Sequence, residues 1–170
     1  MEKYIACFLL LTVFFGMIPS YAKAESTEKA YKAQILINEL TGNEVSFGET
    51  ITRMDFVVAL AKVFQLGESV PEKYFYGDVK SFTENAGFIY SAYNFGWIDA
   101  AENFNAENPI AGREAVKIAV NALGYGLLAE NAGGYPQGYL VVASEINLLK
   151  GMELKDTLSA EDAYRLIYNI

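Results

Sequence analysis

The chain has 170 residues, 13 basic and 21 acidic side chains, a net charge of −8, one cysteine and no histidine. Without histidine it lacks the commonest metal ligand and the commonest general base. Its acidity argues against nucleic acid as a partner.

Residues 1–24 read as a signal peptide: Lys3, the apolar run Ile5 to Ile18, then Ala22-Lys23-Ala24 in the small-x-small form of a cleavage site. The run is short and wrongly flanked for a membrane span, so a single transmembrane anchor is the lesser reading and no membrane partner is expected after cleavage. Cys7 precedes most of the apolar run and reads as an ordinary residue of that peptide. Setting aside Lys3, Lys23 and Glu2 leaves 11 basic and 20 acidic side chains in the 146 residues from 25 to 170. That is one cysteine-free domain, long enough for a core of its own. An exported chain without cysteine suits a surface outside a single membrane.

In chain order, Tyr31 to Leu40 reads as a short helix broken by Thr41-Gly42-Asn43, and a polar loop runs from Glu44 to Thr50. Ile51 to Leu66 is the best-marked helix. Thr52 is a good N-cap, with Asp55 three residues on in a capping-box spacing. Phe56, Val57, Leu60, Val63 and Phe64 recur at helical spacing, and Gly67 stands as the terminating glycine. Tyr76-Gly77-Asp78-Val79 reads as a turn. Thr83 or Ser81 is placed to cap a helix from about Glu84 to Gly96, and Asp99 to Pro109 is a polar loop. Pro109 sets the next helix start near Ala111. Gly112 to Leu123 carries Ala115, Val116, Ala119, Val120 and Leu123 on one face. Leu127 to Gln137 reads as a turn-rich connection. Gly138 to Leu149 is helical, with Tyr139, Val142, Ala143 and Ile146 inward, and a last helix starts at Ser159. The pattern is all-α, about six helices.

Three segments align: Ile51-Thr52-Arg53-Met54-Asp55-Phe56-Val57, Ile110-Ala111-Gly112-Arg113-Glu114-Ala115-Val116 and Leu158-Ser159-Ala160-Glu161-Asp162-Ala163-Tyr164. An aliphatic residue leads each and an acid holds the fifth place. Ala92 to Ile98 likewise lies over Ala143 to Leu149. The unit is a short helix, a polar loop and a capped longer helix, over about 31–67, 88–124 and 139–170. One unit has too little apolar face to fold alone, so the three are expected to pack as a compact three-fold helical bundle.

This arrangement resembles the S-layer homology family, whose repeat opens with I-T-R-x-E, continues to a D-V turn and a helix of the form A-x-x-x-G-I, and closes its loop on P-I-T-R. The matching residues are Ile51 to Asp55, Asp78-Val79, Ala92 to Ile98 and Asn108-Pro109-Ile110. Gly124-Tyr125-Gly126, Gly134-Tyr135-Pro136 and Gly138-Tyr139-Leu140 look like variants of the repeat in clostridia-like bacteria. The resemblance implies a non-catalytic anchor that holds an exported protein on a bacterial cell wall by binding a secondary wall polysaccharide, often pyruvylated and so carboxylate-bearing. It also implies that the Arg of the I-T-R motif, here Arg53, meets the ligand in a groove between prongs.

Candidate ligand-binding residues are Arg53, Asp55, Arg113, Glu114, Tyr135 and Trp97. Capping alone accounts for Thr52 and Asp55, and Ser159 with Asp162 repeats the box. Arg53 is different, because a cation in the first helical turn opposes the macrodipole by about 0.3–1 kcal/mol. Either a ligand carboxylate or a protein acid would offset that. The aligned places hold Gly112 and Ala160, and Arg113, one residue late, points about 100° away around the helix. Of the aromatic residues Tyr74, Tyr76, Tyr90, Tyr93, Trp97, Tyr135 and Tyr139, most belong in a core; Tyr135, in a Gly-Pro turn, is the one expected at the surface.

Asp99, Glu102, Asn103, Asn105 and Glu107 lack the spacing and glycine of a calcium loop and read as a solvated acidic stretch. No carboxylate pair is singled out for glycosidase chemistry. No enzyme activity, cofactor or metal is expected. The alternative to an anchor is a degenerate structural or protein-interaction module at the N-terminus of a larger exported protein, with an apolar patch exposed where the third unit ends.

Overall fold

The computed structural model describes residues 28–36, 38–39 and 49–170. The expected signal peptide, the break at 41–43 and most of the loop from 44 to 50 lie outside them. Among the described residues the chain is all-α: α1 (residues 28–36 with 38–39), α2 (Arg53–Val63), α3 (Ala86–Asn94), α4 (Gly112–Ala122), α5 (Gly126–Asn131), α6 (Gln137–Glu145) and α7 (Ala160–Tyr168). None of these helices is long and apolar enough to cross a membrane.

The capped starts form as their residues dictate. Thr52 Oγ1 accepts the Asp55 N–H at 3.0 Å, and the Thr52 hydroxyl donates to Asp55 Oδ2 at 2.7 Å. Ser159 and Asp162 repeat both bonds at 3.2 and 2.9 Å. Ser159→Ala is therefore expected to cost about 1 kcal/mol, read as a lowered thermal midpoint; an unchanged midpoint would show that the cap adds nothing to the fold. At α4 the N-cap is Ala111, whose methyl group makes no cap hydrogen bond.

The three starts are joined cyclically. Arg53 N–H donates to the Asn108 carbonyl at 2.8 Å, Gly112 N–H to Asp156 at 3.0 Å and Ala160 N–H to Glu49 at 2.8 Å. These bonds accompany isolated antiparallel bridges between Thr52 and Pro109, Ala111 and Thr157, and Thr50 and Ser159. The leading aliphatics Ile51, Ile110 and Leu158 are all buried in the one core. Nitrogens that a helix N-terminus leaves unpaired are thus satisfied by the loop ahead of the next start.

Helix ends recur as well. Gly96 and Asn147, aligned in the sequence, both take positive φ (72° and 61°). The next N–H then reaches back five residues, Trp97 to Ala92 at 2.9 Å and Leu148 to Ala143 at 2.8 Å. Asn121 in α4 donates to the Trp97 carbonyl at 3.2 Å, and Asn169, just past α7, to that of Leu148 at 2.9 Å.

Three expectations are corrected. The left-handed residue after α2 is Gln65 (φ 56°), not Gly67, because Gln65 N–H closes on Lys62 O and Leu66 N–H on Ala61 O while the helix still winds. Neither Thr83 nor Ser81 caps α3. Its N-cap is Asn85, in the left-handed region without a side-chain cap, and Thr83 Oγ1 instead accepts from Lys80 N–H at 2.9 Å. The connection after α4 is not all turn, since Gly126–Asn131 forms α5, which packs on α6.

α2 sits deepest. Phe56 through Leu60 and Ala61 are all buried, so every side of the middle of the helix faces protein. Val63 and Phe64, expected inward, are half-buried at its end.

Candidate functional site

Arg53 opens α2, and its backbone is fixed by the bond to Asn108 O. Its side chain crosses to the first turn of α4, where Nη1 pairs with Glu114 Oε1. The guanidinium lies over the Phe104 ring, 4.8 Å from the centroid, a cation–π contact that suits a planar cation. The Arg53 side chain is 17 % exposed and that of Glu114 34 %. Arg53 Nε is buried and makes no hydrogen bond among the described residues. The cation at the start of α2 thus has a protein acid as its counter-charge. Glu114 is itself well placed in the first turn of α4, where the macrodipole favours an anion.

Phe104 is set by the Asp78-Val79 turn. Asp78 Oδ1 accepts the Phe104 N–H at 2.7 Å and Oδ2 the Ala106 N–H at 3.1 Å. Desolvation by its neighbours pushes the Asp78 carboxyl up, but the backbone N–H groups of Phe104, Ala106, Asp78 itself and Asn105 outweigh it and hold it below the usual carboxylate range. Beneath lies an aromatic cluster in which Tyr76 packs on Phe104 and Tyr90, with ring centroids 5.6 Å apart in both pairs. Tyr76 donates its hydroxyl to the Asp99 carbonyl at 2.7 Å. Burial raises its phenol well above the ordinary value, against the pull of Arg53.

The second seam is built differently. A Cβ at Gly112 would meet the Lys155 carbonyl and lie 2.9 Å from Leu154 Cδ1. Protein therefore fills the space where an arginine side chain would begin. Asp162, which holds the fifth place of its unit, has Arg165 of its own helix 3.5 Å away. Arg165 also donates to Gly151 O and to Glu161 Oε1, each at 2.6 Å.

Of the other sequence candidates, Asp55 serves the Thr52 cap. Arg113 is half-exposed and 3.5 Å from Asp156 Oδ1. Tyr135 is 51 % exposed, lies 6.3 Å edge-on from Tyr139 and has Lys117 Nζ 5.5 Å from its ring centre. Lys117 also pairs with Asp99 Oδ2. Tyr139 is buried and donates to Glu130 Oε1 at 2.8 Å. Burial first, and then that bond, push its phenol up to about 12. Trp97 is corrected: at 4 % exposure, edge-on to Phe64 at 5.2 Å, it is packing and presents no face to a sugar ring.

The structure thus brings Arg53 and Glu114 together, has Asp55 in the cap and Trp97 in packing, and leaves Arg113 and Tyr135 at the surface. Sequence reasoning missed Phe104 and Lys117, whose roles arise only from contacts between units. It also missed Asn121 and Asn169, though both stand twelfth counting from Ile110 and Leu158, which was a legible signal. Among the described residues no group of three or more His, Cys, Asp or Glu is placed to hold a metal ion.

No family model matches the chain. The chain is 28 % identical over 156 residues to the "Middle cell wall protein" of Brevibacillus brevis strain 47, an alignment that takes in 87 % of this chain and 14 % of that protein. The chain therefore corresponds to a small part of the length of the relative it matches.

Proposed function

We propose that this chain is a non-catalytic cell-surface anchoring module that binds a carboxylate-bearing wall polysaccharide without a covalent bond, in the setting of an exported bacterial protein. The observation that carries the reading is Arg53. Its guanidinium is held over Phe104 at the seam between two helix starts, and its one counter-ion among the described residues is a side chain more exposed than itself. A planar cation in that position suits the two oxygens of a carboxylate. The cyclic bonds of the three starts support a three-fold arrangement of units with grooves between them, and the likeness to a wall protein supports the setting.

Sedimentation with purified wall sacculi tests this. The wild-type domain is expected in the pellet at low salt, with retention weakening as salt rises. Arg53→Ala is expected to bind about tenfold more weakly, as loss of one charge-assisted contact implies. A wild-type domain that stays in the supernatant at low salt would sink the proposal.

One observation favours a second reading, a protein-interaction module. An apolar cleft of about 280 Å³ is lined by Lys32, Ala33, Leu36, Val63, Ile167 and Tyr168, close to where the third unit ends. That reading predicts no retention on sacculi by wild type and Arg53→Ala alike.

A further inference from the structure

We infer that Glu114 is an internal stand-in for the carboxylate of the ligand: it occupies Arg53 in the free domain and is displaced when the polymer binds. This rests on the anchoring function proposed above and deepens it by naming the contact that binding must break.

The three arginines of the chain differ in what they have to give up. Arg165 is committed, with one terminal nitrogen on the Gly151 carbonyl and the other on Glu161 of its own helix. Arg113 stands out in solvent, its side chain 53 % exposed and 3.5 Å from an almost fully exposed Asp156. Arg53 alone combines a fixed position with a single exchangeable partner. Its backbone is tied to Asn108 and its guanidinium rests on Phe104, which Asp78 in turn holds. None of these three supports involves Glu114, so the cation stays placed when the carboxylate leaves.

Glu114, for its part, has no second tie for its side chain among the described residues. Its carboxylate has no other partner among the described residues, and its side chain is twice as exposed as that of Arg53. It comes from another unit, 61 positions along the chain, so no helical i,i+4 geometry forces the pair together. A long side chain at the first turn of a helix can rotate into water at little cost. The pairing engages one terminal nitrogen and leaves Nε without an acceptor, so the donor capacity of the guanidinium is not filled. A second carboxylate competes for the same cation, and the affinity of the polymer is lowered by whatever the internal pair is worth.

Glu114→Gln keeps the shape of the side chain and removes its charge. Titrated against purified wall sacculi, it is expected to bind more tightly than wild type, on the order of fivefold, the equivalent of one modest ion pair. Glu145→Gln, an exposed acid elsewhere on the domain, controls for weaker general repulsion from an anionic wall and is expected to change little. If wild type is retained on sacculi and Glu114→Gln binds equally, more weakly, or no better than Glu145→Gln, the stand-in role is wrong and the anchoring function survives. If wild type is not retained at all, both fall. Should Glu114→Gln fail to fold by circular dichroism, the wild-type domain still decides. On titration with solubilised wall polysaccharide the Arg53 Nε–H resonance is expected to shift, and an unmoved resonance in the bound state overturns the inference.

Discussion

Replacing Gly112 with arginine, the residue that the first unit carries at that place, is expected to destabilise the domain by about 3 kcal/mol or more and to restore no second basic seam. The first atom of any side chain there runs into the Lys155 carbonyl, with Leu154 Cδ1 at 2.9 Å and Cγ at 3.3 Å. Leu154 can turn aside, but a backbone carbonyl moves only with its loop, and the neighbouring Asp156 carbonyl is already bonded to the Gly112 N–H at 3.0 Å. Gly112→Ala separates the two terms. Alanine gains about 0.5–1 kcal/mol in helix propensity over glycine, while overpacking costs about 1–3 kcal/mol, so the net effect is expected to be destabilising. Thermal unfolding of both variants is the measurement. A Gly112→Ala domain melting at or above wild type would show that the loop yields freely and that the second seam is closed by composition, not by space.

Asp78→Ala is expected to lower stability by about 2 kcal/mol. Two hydrogen bonds to a charged acceptor are lost, each worth about 1.5–3 kcal/mol. The residue is exposed, so solvent screening and competing water bring the loss below the roughly 3 kcal/mol at which the sum of two such bonds begins. The loss reaches the candidate site, because Phe104 is the surface on which Arg53 rests. Weaker retention on sacculi should accompany the lowered midpoint. The pH dependence follows from the direction of the shift. The folded-state pKa is depressed below the ordinary aspartate value, so the stabilisation is fully present above about pH 4 and is lost as pH falls through the lowered value. A wild-type domain whose acid unfolding limb matches that of Asp78→Asn would show that the carboxylate contributes nothing through its charge.

Much of the architecture is local and therefore legible from the chain. A hydroxyl three residues ahead of an acid makes its cap within one turn, and Thr52 and Ser159 do so whatever lies around them. Pro109 marks the boundary of a helix by sterics alone. The faces of α4 and α7 follow the apolar spacing, with Ala115, Val116, Ala119 and Val120 buried in one and Ala163, Leu166 and Ile167 in the other. Local rules also produced the misreadings. Gly67 looks like the better terminator, yet Gln65 takes the left-handed turn because the bonds to Lys62 and Ala61 close there. The glycines and Pro136 around α5 look like turn alone, yet six residues between them pack as a helix on α6.

The candidate site was legible in part. That Arg53 needs a counter-charge follows from its place in the first turn of a helix, a property of the sequence by itself. Which acid supplies the charge depends on how the seam between units closes, and only the tertiary structure decided for Glu114. Trp97 leans toward packing by its residue type, and its burial in the structure agrees. The chain alone thus determined an acidic, all-α set of capped helices and the presence of Arg53 at the head of the best of them. The tertiary structure decided the partner of Arg53, the support from Phe104 and Asp78, and the closing of the second seam at Gly112. The reason is physical: caps and helical faces are set by residues three or four apart, whereas these contacts join residues 26 to 61 apart in the chain, where no local spacing rule reaches.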